Sequence, residues 1–99
     1  MSTHTFTHGD LRVQTGWDRP LQYFYLVIER HDPALGRTLV YCNLDDHQSA
    51  TGGLTLAQIE ARLAERNVPV PAGLLTALQE DQSVNRGNHH VDWTAAALA

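Results

Sequence analysis

Residues 21–30 read L-Q-Y-F-Y-L-V-I-E-R. Their aromatic and β-branched side chains predict a strand, and every other element is placed relative to it. H-D-P-A-L-G-R (31–37) follows, with Asp-Pro and Gly as turn residues. T-L-V-Y-C-N-L (38–44) predicts the returning strand of a hairpin. With Arg30 opposite Thr38, Ile28 falls opposite Val40, Leu26 opposite Cys42 and Phe24 opposite Leu44. All six share one face because strand side chains alternate, and a slip of one residue would lose the match. That face is the expected core. Tyr25, Val27 and Glu29 then lie across from Asn43, Tyr41 and Leu39 on the second face, with Tyr23 beyond.

Working outward, Leu11 to Thr15 alternates apolar and polar, and G-W-D-R-P (16–20) predicts a turn into the long strand. D-D-H-Q-S-A-T-G-G (45–53) predicts a polar loop. Thr55 with Gln58 predicts a capping box, and Leu56, Ile59 and Leu63 recur at helical spacing. Arg62 and Arg66 suit the last turn of that helix, and Asn67 suits its C-cap. V-P-V-P (68–71) is extended before its prolines. A second helix is expected from Pro71 to about Gln82, with Leu74, Leu75 and Leu78 as its apolar stripe. N-R-G-N (85–88) is a turn, and His89 to Trp93 predicts a short strand. The expected fold is therefore α+β in the order β-β-β-α-α-β. It has a three-stranded antiparallel meander, a C-terminal strand and a helical hairpin on one face. Residues 1–99 are expected to form a single domain, with 1–9 and 94–99 loosely ordered.

Composition narrows the functional classes. The chain has 99 residues, 42% hydrophobic and 18% charged, which fits a globular core rather than disorder. Its net charge is −4, and all seven basic residues are arginines scattered from Arg12 to Arg86. Phosphate neutralisation needs a basic stripe, so nucleic acid is not an expected partner. The expected second helix has no arginine and ends in Glu80 and Asp81, which argues against a recognition helix. No apolar run is long enough to span a bilayer, and Met1 to Asp10 does not read as a leader, so neither a membrane nor secretion is expected. The single Cys42 excludes an internal disulfide and a thiolate cluster. The expected location is cytoplasmic.

Two constellations carry candidate chemistry. In N-R-G-N-H-H-V-D-W (85–93), strand alternation points His89, Val91 and Trp93 one way and His90 and Asp92 the other. A metal ion would use His90 and Asp92 and draw further ligands from His31, His47, Asp45 or Asp46 in loops, or from His4 and His8 at the N-terminus, since zinc takes three or four. No spacing matches a metal motif. The second constellation is the aromatic sheet face, Tyr23, Tyr25, Val27 and Tyr41, with Trp17 and Arg19 at its rim. Aromatic residues and arginine are favoured interface anchors. The sequence therefore predicts a non-catalytic protein-interaction or self-associating module without a cofactor, working through that face toward a protein partner or a second copy. The rival expectation is a metal- or small-ligand-binding protein, or an enzyme, built on His31, His47, His90 and Asp92.

Overall fold

A computed structural model describes residues 1–46 and 52–93. Five strands form one mixed sheet, and two helices cover one of its faces. The strands are β1 (Ser2–His8), β2 (Leu11–Asp18), β3 (Tyr23–Asp32), β4 (Gly36–Cys42) and β5 (His89–Asp92). Their order across the sheet is β4-β3-β2-β1-β5. The first four form an antiparallel meander, and β5 joins β1 in parallel. Between β4 and β5 lie α1 (Leu56–Ala64) and α2 (Leu74–Ser83), which carry the chain from one sheet edge to the other. The α+β class is as expected, but the sheet has one strand more and is mixed. Among the described residues no helix is long and apolar enough to cross a membrane.

The additional strand is β1. The segment 1–9, expected to be loosely ordered, lies in the sheet between β2 and β5. Its inward residues are Ser2, His4 and Phe6, all buried, so no row of large apolar residues marks it. Thr3, Thr5 and Thr7 alternate outward, and their β-branched stiffness suits an extended backbone. Gly9, at φ 60°, opens the two-residue loop that leads into β2. Strand β2 also runs further than expected, through Gly16 and Trp17 to Asp18. Trp17 packs edge-on to Phe24 with ring centroids 5.1 Å apart.

The β3–β4 register begins as expected, with Arg30 opposite Thr38 and Glu29 opposite Leu39. A β-bulge then inserts one residue, so Ile28 pairs with Tyr41 and Val27 with Cys42. Val40 and Tyr41 both pack against the core, and Cys42 moves to the outer face beside Val27. Leu44 does not reach Phe24: it lies 70% exposed in a short 3-10 turn, and Leu54 bridges to Phe24 instead. Asn43 mends the gap. Its Oδ1 accepts from Leu26 N at 3.2 Å, and its Nδ2 donates to Gly52 O at 2.6 Å. Asn43→Ala would leave two backbone groups unpaired in a buried place, so a loss of about 2 kcal/mol is expected in urea unfolding.

The helices follow their sequence signals closely. Both bonds of the Thr55–Gln58 capping box are present. Ile59 and Leu63 are fully buried, and Asn67 takes the left-handed conformation, φ 56°, that ends α1. Helix α2 buries Leu74, Leu78 and also Asp81. The core joins Phe6, Val13, Leu26 and Ile28 of the sheet to Ile59, Leu63, Leu74 and Leu78 of the helices.

Candidate functional site

The interaction residues expected from the sequence do not form one exposed aromatic patch. Trp17 is 3% exposed, lies on the helix-covered side and donates from Nε1 to Asn85 Oδ1 at 3.1 Å. Tyr25 is on the outer face but only 7% exposed. It sits directly opposite Gly16, and its hydroxyl donates to Ser2 O at 2.8 Å. Tyr41 is turned to the helix side by the bulge, a correction to the face assigned above. There Arg66 stacks 4.9 Å from its ring centroid, and its hydroxyl donates to Asp46 Oδ2 at 2.5 Å. Burial, and then the Asp46 carboxylate, push the Tyr41 hydroxyl up to about 12. Val27 and Tyr23 are half-buried, Tyr23 with its ring against Gly53, and Arg19 is exposed in the turn before β3.

The metal candidates are not brought together either. His90 pairs with Thr3 at the β5 edge, whereas His31 lies on β3 beyond the level of His8. Three strand spacings and about six residues separate them, roughly 14 Å across and 20 Å along the sheet. His90 and Asp92 do share the outer face, as strand alternation requires. His47 lies outside the described residues. Among the described residues, no three His, Cys, Asp or Glu side chains are grouped to hold an ion.

The structure does assemble a buried polar cluster, from residues far apart in sequence. His4 Nε2 and Asp81 Oδ2 are 2.7 Å apart, with side chains only 1% and 3% exposed. Trp93 Nε1 lies 2.8 Å from His4 Nδ1. An indole N–H can only donate, so Nδ1 accepts, and a neutral His4 carries its proton on Nε2, from which it donates a hydrogen bond to Asp81 Oδ2. Asp81 Oδ1 accepts from Arg86 Nε at 2.6 Å, and the Ser2 hydroxyl faces this carboxylate and helps to lower its pKa. A carboxylate-oriented imidazole resembles half of a general-base pair. Here both ring nitrogens are occupied and the ring is sealed, so the cluster joins β1, α2 and β5 rather than meeting a substrate.

Two surface features remain. One is the edge of β4, which pairs with no other strand among the described residues. Leu39, in the strand, is 55% exposed, and Leu35 and Leu44 flank it at 79% and 70%. The other is a groove of about 620 Å³ between the start of β3, the N-terminal end of α1 and the end of α2. Trp17, Phe24 and Leu54 form its apolar floor; Gln22, Tyr23 and Gln82 stand at its rim. Trp17 and Tyr23 thus meet at a concave site rather than on a flat sheet face. Comparison with family models, curated proteins and solved structures finds no match for this chain.

Proposed function

We propose that the chain is a self-associating interaction module in which β4 pairs antiparallel with β4 of a second copy. The observation that carries this reading is the alignment of Leu35, Leu39 and Leu44 along a sheet edge that pairs with no other strand among the described residues. An edge strand presents unpaired N–H and C=O groups and is ordinarily blunted by lysine, proline or inward-pointing charge. Strand β4 has no lysine and no proline, and Arg37 is its only charge. The bulge at Val40 limits the regular stretch to a few residues, so apolar contact must supplement the backbone pairing. A two-fold axis beside Leu39 provides that contact. It sets Leu39 beside Leu39 of the second copy and brings Leu35 toward the Asn43–Leu44 turn of the second copy. The same leucines in reversed order are what a second copy offers, which makes the contact isologous. The opposite edge, β5, is four residues long, with His89, His90 and Asp92 exposed.

Light scattering across a concentration series tests the reading. A concentration-dependent dimer is expected, and Leu39→Lys should abolish it. The substitution is at the surface, so the far-UV spectrum should be retained and monomer stability should change by no more than about 0.5 kcal/mol. A strict monomer up to about 1 mM, where association would be worth less than ~4 kcal/mol, would sink the proposal. So would a dimer indifferent to Leu39→Lys.

A further inference from the structure

We propose that the groove above α1 binds an uncharged peptide unit carrying an apolar side chain. The proposal rests on observations independent of the β4 edge. Among the described residues, the groove lining contains no Asp, Glu, Lys, Arg or His. Entering it would strip water from an ionic ligand without supplying a counter-charge, so a neutral ligand is favoured. Its volume, about 620 Å³, lies within the usual range for ligand sites.

The floor and the rim ask for different parts of one ligand. Trp17, Phe24 and Leu54 are nearly fully buried and offer an apolar surface to a side chain. The rim offers neutral groups that donate and accept: the Gln82 amide, the Tyr23 hydroxyl and the Gln22 Oε1. A peptide unit places an N–H and a C=O side by side and complements such amides.

The rim is also held in place. Gln22 has a left-handed backbone, φ 56°, and so does Asn85, φ 49°. The two touch through Gln22 Nε2 to Asn85 Oδ1 at 2.7 Å, and the same Oδ1 accepts from Trp17 Nε1 at 3.1 Å. Gln22 Nε2 also donates to Arg19 O at 2.7 Å. Its amide hydrogens are thus committed to the fold, leaving Oε1 to accept from a ligand. Left-handed non-glycine residues persist where surrounding contacts over-determine them, and they cluster at ligand clamps.

Three probes with one leucine body separate the charge states. These are N-acetyl-leucinamide, which is neutral, N-acetyl-leucine, an anion at neutral pH, and leucinamide, a cation. Nitrogen–proton correlation spectra of the whole chain provide the readout. The neutral probe is expected to shift the Trp17 indole and the Gln22 and Gln82 side-chain amides saturably, with a dissociation constant of order 1 mM. Both charged probes should bind at least about tenfold more weakly, a difference of ~1.4 kcal/mol. Gln82→Glu, at an exposed position, should reverse the order of the neutral and cationic probes. Equal affinity for all three probes, shifts that map elsewhere, or no shift at about 20 mM would each overturn the proposal.

Discussion

Replacing Asp81 with alanine is expected to remove about 3–5 kcal/mol of stability, because it leaves buried donors without an acceptor at about 1–3 kcal/mol each, more where a charged group is involved. A domain of this kind has about 5–15 kcal/mol in all, so the variant would be marginal or unfolded at ambient temperature. The size of the effect follows from what is left behind. His4 Nε2–H and the Arg86 Nε–H both lose their acceptor, and His4 is almost completely buried. Exposed ion pairs contribute only about 0–1 kcal/mol, so urea unfolding separates the two readings cleanly. A loss below about 1 kcal/mol would mean that the cluster is solvated and does not tie the fold together. Asp81→Asn should fall between the extremes, because it keeps one acceptor oxygen but turns an NH₂ toward other donors. The pH dependence has a definite sign. Burial alone would raise the Asp81 carboxyl, but bonds from Ser2, His4 and Arg86 outweigh it and hold the group below its ordinary 3.8. The unfolded chain therefore takes up this proton first as the pH falls. The contribution of Asp81 is complete above about pH 4 and disappears as the pH drops through the lower folded value. Stability profiles of the wild type and Asp81→Asn should converge over that acid range.

The same cluster shows what local patterns in the sequence could and could not convey. β3, the capping box and the two apolar stripes were legible because their signals are local: β-branched density, Thr55 three residues before Gln58, leucines at helical spacing. Strand β1 was not, because its inward positions are Ser2, His4 and Phe6, and two of the three are polar. They are tolerated inside only because Asp81, 77 residues from His4, supplies an acceptor. Asp81 itself reads as a surface acid near a helix end until that partner is known. The bulge was hidden for a different reason. Val40, Tyr41 and Cys42 are all compatible with burial, so alternation carries no mark at the point where one extra residue turns Tyr41 inward. The groove escaped because it gathers residues from three segments that meet only in the fold, although Trp17 and Tyr23 were already singled out as binding residues. A useful signal was the threonine alternation at positions 3, 5 and 7, which marks a strand without marking a core.

Gly16→Ala is expected to cost about 3 kcal/mol or more, at the upper end of overpacking effects, although it adds a single methyl group. An ideal Cβ at Gly16 would lie 2.0 Å from the Ser2 carbonyl oxygen and 3.0 Å from Tyr25 Cε1. The first contact is with backbone, so no side-chain rotation relieves it. The end of β1 must move away from β2, and little there is free to move. The Ser2 carbonyl accepts from the Tyr25 hydroxyl at 2.8 Å, and the Ser2 Oγ accepts from Trp17 N at 2.9 Å. The Ser2 hydroxyl also faces the Asp81 carboxylate and helps to hold its pKa down. Displacing Ser2 therefore breaks bonds on both faces of the sheet at once. Tyr25→Phe, which removes the hydroxyl's bonds to Ser2 O and Thr3 Oγ1 and leaves the backbone in place, should cost only about 1–2 kcal/mol. The ratio of the two losses in urea unfolding is diagnostic: if Gly16→Ala costs less than Tyr25→Phe, the β1–β2 contact at Ser2 is not rigid and the steric argument fails. The coupling is equally specific. Because Gly16→Ala already displaces Ser2 from Asp81, combining it with Asp81→Ala should cost less than the sum of the single changes by at least about 0.5 kcal/mol, the range seen for residues that share a network. Strict additivity would instead place the glycine contact and the buried carboxylate in separate parts of the fold, and Ser2 would no longer be the residue that joins them.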